Sequence, residues 1–284
     1  MHNILKVIIA KICIFILGLF GYYLVICPWG IGDTLFVCIC SEELKRKKKK
    51  KLAVICKKYT GQVCKDFEFI DMIIANNRLC NCFIYYGEEL GNKTSKNYVY
   101  AHILAENMKE YDTVVDRYRL GILNLNSNFE FVYPKIDKKN IYIDMTNAVI
   151  IAPYARSRSC VPSEAFWTRL AIFCKDRGMN VYTNCGKEGE NEISGTIKLN
   201  VSLNELFLCA ERAKLFISYR SGICDWIALS NSNMMVINDP IWGKEWDLNH
   251  FSKNKIKYFQ YHPDTENDLI SILENEIDSL CNGN

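Results

Sequence analysis

The sequence lacks the residue patterns of the common metal-binding and nucleic-acid-binding classes. Its fourteen cysteines form no C-x-x-C pair, and its four histidines lie far apart along the chain. Because zinc sites need closely spaced Cys and His ligands, we predict no structural metal. The net charge of +3 gives no global attraction to nucleic acid. The basic run at 45–51 has no interleaved aromatic residues, so we expect no nucleic-acid partner.

Many of the cysteines stand inside apolar runs. Cys13, Cys56, Cys174 and Cys209 have mainly apolar neighbours, and a cysteine in such surroundings behaves as a small buried hydrophobic residue. Disulfide frameworks are found in oxidising compartments. The pattern therefore favours a reduced, cytoplasmic location over a disulfide-linked fold.

The N-terminal segment is apolar but short for a membrane span. Residues 12–27 form an uncharged run of 16, whereas a transmembrane helix needs about 20 apolar residues. No small-x-small cleavage site follows, which disfavours a signal peptide. We predict an N-terminal apolar helix in residues 1–20 and a first strand over 22–27. With the lysine run at 45–51, this helix could attach to an anionic membrane surface. Packing of the helix on the protein body and a true span are the two alternatives.

Strand-like apolar runs alternate with helical segments along the chain, a pattern that predicts open parallel sheets. The predicted strands of the first half cover about 22–27, 52–56, 82–86 and 113–116. The predicted helices there cover about 35–48, 60–76 and 95–109. In the second half, we predict strands at 148–152, 180–183, 196–199, 215–218 and 234–237. The predicted helices of that half cover 164–177, 203–212, 222–230 and 265–281.

A change of composition separates the two halves. Residues 121–146 are rich in Asn and Lys and interrupt the alternation. We therefore predict two Rossmann-like α/β domains, an N-terminal one over 21–140 and a C-terminal one over 141–284.

The loop after the first predicted strand is the first candidate site. Gly30 and Gly32 allow a tight turn and a close backbone approach to a ligand, and Asp33 and Thr34 begin the following helix. An aspartate at that place is also an ordinary helix cap. The third glycine of a dinucleotide-binding fingerprint is missing.

Two loops of the second half carry residues suited to a diphosphate. Arg156, Ser157 and Arg158 follow a predicted buried strand and could bind phosphate oxygens. A second set lies where the strand at 215–218 turns into a helix, and arginine and backbone N–H groups there favour an anion. This second set comprises Ser218, Arg220, Ser221, Gly222 and Asp225.

These motifs resemble the lipopolysaccharide heptosyltransferases of glycosyltransferase family nine and their wider GT-B relatives. Gly32-Asp33 within WGIGDTL matches the Gly-Asp pair of that family. The stretch from Ser202-Leu203 through Glu205-Leu206 to Ile217-Ser218-Tyr219-Arg220-Ser221-Gly222 matches its second half. Gly186 and Glu190 match a Gly/Glu loop. Arg220 and Asp225 stand where the family usually has Asp and His, a form that looks more like capsule-type and fucosyltransferase-like GT-B proteins.

The resemblance implies two Rossmann-like domains facing across a cleft. It also implies a glycosyltransferase that moves a sugar from a nucleotide-sugar donor to a glycan or lipid-linked acceptor. We expect inversion at the anomeric carbon, and we expect no metal or other cofactor because arginines and helix dipoles can offset the charge of the leaving group. Asp33 then deprotonates the acceptor hydroxyl, with Gly30, Gly32 and Thr34 beside it. The C-terminal domain binds the donor, and the enzyme works in cell-surface polysaccharide biosynthesis, in the cytoplasm or at the inner face of the membrane.

Two other functions are compatible with the same sequence. One is a nucleotide-sugar epimerase or hydrolase, which acts without an acceptor. The other is a non-catalytic nucleotide-sugar-binding or scaffold protein of a polysaccharide assembly complex, which binds donor without turning it over.

Overall fold

The computed structural model describes residues 2–91, 93–102, 111–126, 128–138, 143–155, 160–239 and 243–282. The chain divides into two compact units, residues 1–136 and 137–284, whereas the sequence analysis places the junction after residue 140. Each unit is built around its own parallel sheet. The facing of two domains across a cleft stays a prediction.

Unit 1 contains four strands and six α-helices in its described part. The strands are β1 (Tyr22–Cys27), β2 (Lys51–Cys56), β3 (Met72–Ala75) and β4 (Tyr98–Tyr100). The helices are α1 (His2–Leu19), α2 (Ile31–Ile39), α3 (Ser41–Lys48), α4 (Gly61–Lys65), α5 (Asn77–Ile84) and α6 (Val114–Asp116). Two π-helical turns, Tyr85–Glu89 and Arg117–Ile122, extend α5 and α6.

The sheet of unit 1 has the strand order β3-β2-β1-β4, and all neighbours are parallel. The chain winds outward from β1 through β2 to β3 and then returns to the other side of β1. The order of the strands therefore reverses between β1 and β4. Open α/β sheets bind ligands beside such a reversal, at the carboxyl ends of the strands.

Several predicted elements of unit 1 are wrong. The helix expected over 60–76 ends at Lys65 and is followed by β3. The strand expected over 82–86 is helical, because Asn76 caps α5 by accepting hydrogen bonds from the backbone N–H groups of Arg78 and Leu79. The strand expected over 113–116 is α6, which the side chain of Thr113 caps. Within the helix expected over 95–109, residues 98–100 form β4, and residues 103–110 lie outside the described part.

The N-terminal helix α1 has one buried face and one exposed apolar face. Ala10 is buried, and Val7, Cys13, Ile14 and Leu17 pack against the same core cluster of unit 1. The opposite face leaves a row of large apolar side chains in solvent, each 37–71% exposed: Ile4, Leu5, Ile8, Ile9, Ile12, Phe15, Ile16 and Leu19, followed by Phe20. Among the described residues, no helix is long and apolar enough to cross a membrane.

Unit 2 contains a six-stranded parallel sheet in the order β10-β9-β8-β5-β6-β7. Its strands are β5 (Ala148–Ala152), β6 (Asn180–Asn184), β7 (Ile197–Leu199), β8 (Leu215–Tyr219), β9 (Met234–Asn238) and β10 (Lys257–Gln260). Its helices are α7 (Glu164–Asp176), α8 (Leu203–Arg212), α9 (Gly222–Ile227) and α10 (Glu266–Asn282). Read from its other edge, the order is the 3-2-1-4-5-6 of a Rossmann fold, with the reversal between β5 and β8.

Local signals in the sequence account for most of unit 2. Ser163 caps α7 by accepting a hydrogen bond from the Phe166 N–H, as expected. Ser202 and Glu205 form the predicted capping box of α8. Gly178 adopts φ +73° just after α7, where a residue with a side chain would be strained.

The cysteines behave as small core residues. The thirteen cysteines whose side chains the structure describes are free, and all of them but Cys13 and Cys160 are buried. Cys56, Cys174 and Cys209 are completely enclosed, as their apolar neighbours predict.

Candidate functional site

Asp33 lies at the carboxyl end of β1, in the first turn of α2. Its Oδ2 accepts a hydrogen bond from the Gly30 N–H at 3.0 Å, which closes the loop as a helix cap. Its Oδ1 accepts a hydrogen bond from the Tyr118 hydroxyl. The Thr34 hydroxyl donates to the Gly30 carbonyl at 3.0 Å. The carboxylate therefore fixes the loop that contains Gly30 and Gly32 against the π-helical turn that carries Tyr118.

Trp29 is the centre of a polar cluster beside this loop. Its indole Nε1 donates to Glu88 Oε1 at 3.1 Å and lies 3.2 Å from the Tyr100 hydroxyl. Its ring stacks on His102 with the ring centres 4.9 Å apart. The Lys57 ammonium lies 5.0 Å from the centre of the indole.

Two hydrogen-bond donors and one imidazole nitrogen lie around a single oxygen of Glu88. Besides Trp29, the Tyr100 hydroxyl donates to Glu88 Oε1 at 3.0 Å, and His102 Nδ1 lies 2.7 Å away. The Nδ1 contact is short but lacks the direction of a hydrogen bond. Burial raises the pKa of Tyr100, and the Glu88 carboxylate raises it further, so this hydroxyl stays protonated and donates.

The topology explains why these residues meet. Trp29 follows β1 and His102 follows β4, the two strands between which the order reverses. Glu88 and Tyr118 come from the two π-helical turns, and such turns are frequent at functional sites. The carboxyl edge of this sheet therefore holds two neighbouring assemblies, one around Asp33 and one around Glu88.

In unit 2, Arg220 and Asp225 form a buried ion pair. Arg220 Nη2 donates to Asp225 Oδ1 at 2.7 Å, and Nη1 donates to the Ser221 carbonyl at 2.8 Å. Both side chains are buried, at 3% and 6% exposure. Burial lowers the pKa of Arg220, but the Asp225 carboxylate more than offsets this and leaves that pKa above its usual range. Asp225 is therefore the buried countercharge of an arginine.

Ser218 is enclosed at the reversal of the strand order. Its hydroxyl contacts the carbonyls of Ala152, at the end of β5, and of Tyr219, at 3.1 and 2.9 Å. Its contacts therefore join the ends of β5 and β8. Gly222 is the first residue of α9, which is only six residues long.

Three buried polar atoms near these strand ends have no hydrogen-bond partner in the part of the chain that the structure describes. They are Arg220 Nε, Ser221 Oγ and Asn238 Oδ1. Asn238 ends β9 and lines a cavity of about 270 Å³, together with Lys244, Asp247 and Tyr258 among others. A buried polar group without a partner is unfavourable, so these atoms make this edge of the sheet a candidate site.

The other predicted loop residues are only partly described. Arg156, Ser157 and Arg158 lie outside the described residues. Gly186 is exposed, and the Glu190 carboxylate accepts a hydrogen bond from the Lys187 N–H at 3.1 Å. The Tyr154 hydroxyl donates to the Asn191 carbonyl, so the loop after β5 contacts the loop after β6.

Sequence reasoning missed Trp29, Glu88, Tyr100, His102 and Asn238. Trp29 lies 59 positions from Glu88, and no local motif relates them. The signal that was present is the position of Trp29 next to Gly30, directly after a strand.

The fold is that of solved bacterial glycosyltransferases, although the sequence matches no protein-family model and no curated protein. An E. coli structure described as ADP-heptose LPS heptosyltransferase II has a TM-score of 0.69 and 11% identity, covering 91% of this chain and 98% of that one. A glycosyl transferase of family 9 from Veillonella parvula has a TM-score of 0.63 and 10% identity, with 92% and 96% covered. At such identity the likeness defines the fold alone.

A third similar structure bears on the question of metals. The dodecameric glycosyltransferase TibC from enterotoxigenic E. coli, described as iron-containing, has a TM-score of 0.61 and 12% identity, covering 93% of this chain and 76% of that one. Among the described residues of the present chain, no three His, Cys, Asp or Glu side chains gather as they would around a metal ion. Metal-independent chemistry stays a prediction.

Proposed function

We propose that this protein is a glycosyltransferase that moves a sugar from a nucleotide-sugar donor to a glycan or lipid-linked acceptor in cell-surface polysaccharide biosynthesis. The fold likeness to structures described as heptosyltransferases supports the class of reaction. The observation that carries the proposal is the gathering of polar groups beside the strand-order reversal of each sheet. Ligands of open α/β sheets bind at that place.

Unit 2 is proposed to bind the donor. Arg220 Nε, Ser221 Oγ and Asn238 Oδ1 are buried polar atoms whose hydrogen-bonding capacity is unused among the described residues. A nucleotide supplies many donors and acceptors, and it would satisfy such atoms. Arg220 is held by Asp225, so we propose that it acts on the donor mainly by fixing the backbone of Ser221. Arg156, Ser157, Arg158, Gly186, Glu190 and Gly222 complete the proposed donor loops.

Unit 1 is proposed to bind the acceptor. Within unit 1 we propose that Asp33 matters most for sugar transfer, because it holds the Gly30–Gly32 loop between the start of α2 and Tyr118. Direct displacement of the nucleotide by the acceptor hydroxyl would invert the anomeric carbon.

Nucleotide binding tests the donor proposal. A ligand that binds only the folded protein raises the unfolding midpoint of that protein. The panel contains ADP, GDP, UDP and CMP and the matching nucleotide sugars, including ADP-heptose. We expect one nucleotide family of this panel to raise the midpoint. Asn238→Leu should reduce that shift, whereas Asn180→Leu, at the exposed first residue of β6, is the matched control. A panel in which no nucleotide changes the midpoint would contradict the donor site.

We also propose that the exposed face of α1 lies on an anionic membrane surface. The apolar row is continuous along the helix. Lys48 and Lys51 lie over the rings of Tyr23 and Tyr22, which places the basic run beside the C-terminal end of α1. Apolar burial and attraction to anionic lipid therefore act at adjacent places.

Vesicle flotation tests this attachment. With vesicles containing about 30% phosphatidylserine we expect the protein to float, and less so with neutral vesicles. Phe15→Glu should weaken binding at least about tenfold, since burying a phenylalanine is worth about 1.5–3 kcal/mol. Ile172→Glu, at an exposed apolar position on α7, should leave it unchanged. Flotation of Phe15→Glu like the wild type, or self-association of the protein without any flotation, would contradict the proposal.

A further inference from the structure

The cluster around Glu88 contains a histidine arranged as a proton acceptor. His102 is fixed on one side by the Trp29 ring, which stacks on it with an angle of 30° between the planes. Its Nδ1 lies 2.7 Å from Glu88 Oε1. Its Nε2 has no hydrogen-bond partner among the described residues, and the side chain is 26% exposed. One nitrogen is therefore next to a carboxylate, and the other is open to a ligand.

Glu88 is held in place by two hydrogen bonds. Trp29 Nε1 and the Tyr100 hydroxyl both donate to its Oε1, which fixes the carboxylate beside His102. A carboxylate beside one imidazole nitrogen stabilises the imidazolium that forms when the other nitrogen takes a proton. The poor direction of the Nδ1 contact fits a site without its substrate, because catalytic hydrogen bonds often align only in the complex.

Asp33 is arranged differently. Each of its carboxylate oxygens already accepts a hydrogen bond, one from the Gly30 N–H and one from the Tyr118 hydroxyl. Through these bonds the Asp33 side chain links the Gly30 loop to the π-helical turn that carries Tyr118. Among the residues that the structure describes, the charged and titratable groups that face His102 are Glu88 from the π-helical turn, Tyr100 from β4 and, across Trp29, Lys57 after β2.

We infer that His102, supported by Glu88, is the general base of the proposed sugar transfer, and that Asp33 is a positioning residue. This inference rests on the proposed function and differs from the resemblance, which gives the proton to Asp33. The acceptor O–H bond breaks, and its proton bonds to His102 Nε2. The acceptor oxygen bonds to the anomeric carbon, and the bond from that carbon to the diphosphate breaks. Its electron pair leaves with the nucleoside diphosphate.

The pH dependence of turnover tests the inference. Turnover is measured as the release of nucleoside diphosphate from the panel of donors, with water in the place of the acceptor. A histidine base gives an acidic limb between about pH 5 and 8. We expect His102→Gln to lower the rate about 100- to 10,000-fold and to remove that limb. Glu88→Gln should move the limb to lower pH, because the imidazolium loses its carboxylate. Imidazole added to His102→Ala should restore part of the rate.

His262→Gln, at an exposed position in unit 2, is the matched control and should behave as the wild type. Equal unfolding midpoints of the variants exclude loss of the fold as the cause. A His102→Gln enzyme with the wild-type rate and acidic limb would overturn the inference and leave the proposed function intact. Absence of release by the wild type from every donor, both with water and with the panel of glycan and glycolipid acceptors, would instead contradict the proposed function.

Discussion

Replacing Asp225 by asparagine should destabilise the protein by about 3–5 kcal/mol, because it leaves the Arg220 guanidinium buried without its countercharge. The Nη2 contact to Asp225 and the Nη1 contact to the Ser221 carbonyl offset the burial of this charge. Denaturant unfolding of the two proteins measures the difference.

A surface ion pair of unit 2 provides the control for that experiment. Lys198 pairs with Glu192 through a single 3.8 Å contact, with both side chains exposed, so Glu192→Gln should leave the stability close to that of the wild type. The double variant Arg220→Met with Asp225→Leu should be more stable than Asp225→Asn, since no unpaired charge remains. Equal stability of Asp225→Asn and Glu192→Gln would contradict the buried pair.

Asp33→Asn should reduce sugar transfer at least about 100-fold while nucleotide binding is retained. The Gly30 N–H and the Tyr118 hydroxyl both donate to this side chain, and an asparagine has one acceptor oxygen in place of two. One link must therefore weaken, and a displacement of about 1 Å in a catalytic loop costs about 100-fold. The turnover rate and the nucleotide dissociation constant, measured side by side, check this.

Two comparisons separate positioning from proton transfer at Asp33. Tyr118→Phe removes one of the two donors and should lose less activity than Asp33→Asn. Asp33→Asn should keep the acidic limb of the pH profile that His102 provides. Turnover of Asp33→Asn within about threefold of the wild type would contradict its importance. Loss of the limb in Asp33→Asn, with its survival in His102→Gln, would return the proton to Asp33.

Most of the secondary structure of unit 2 could be predicted from its sequence, because its strands and helices carry strong local signals. β5 is a continuous apolar run, as a parallel strand buried on both faces should be. Ser163 and Ser202 begin their helices at the predicted residues. β10 was not predicted, because Lys257–Gln260 is a short edge strand that pairs only with β9.

The secondary structure of unit 1 agrees less well with the prediction from its sequence, because tertiary contacts determine the conformation of its short elements. Residues 82–86 are Cys-Phe-Ile-Tyr-Tyr, a typical strand composition. Yet Phe83 and Cys80 lie on one face of a helix that packs on α1 and β1. The sequence cannot indicate that packing, since three strands and three helices separate α1 from α5 along the chain.

The candidate sites were predictable where a residue follows a strand within a local motif. Asp33, Ser221 and Gly222 were located in that way. Arg220 looked like a ligand-facing cation, but its burial against Asp225 depends on the path of α9. The pairing of His102 with Glu88 and Trp29 depends on β4 lying beside β1, which no spacing in the sequence reveals.

Product analysis with and without an acceptor tests the central claim most directly. The protein is incubated with each nucleotide sugar that raises its unfolding midpoint, alone and with a panel of glycans and glycolipids, and the products are identified by mass spectrometry. A glycosyltransferase attaches one sugar to an acceptor, and it releases nucleoside diphosphate faster when that acceptor is present. An altered sugar nucleotide formed from donor alone would indicate an epimerase, and binding without any product would indicate a scaffold. Either result would contradict the proposed transferase.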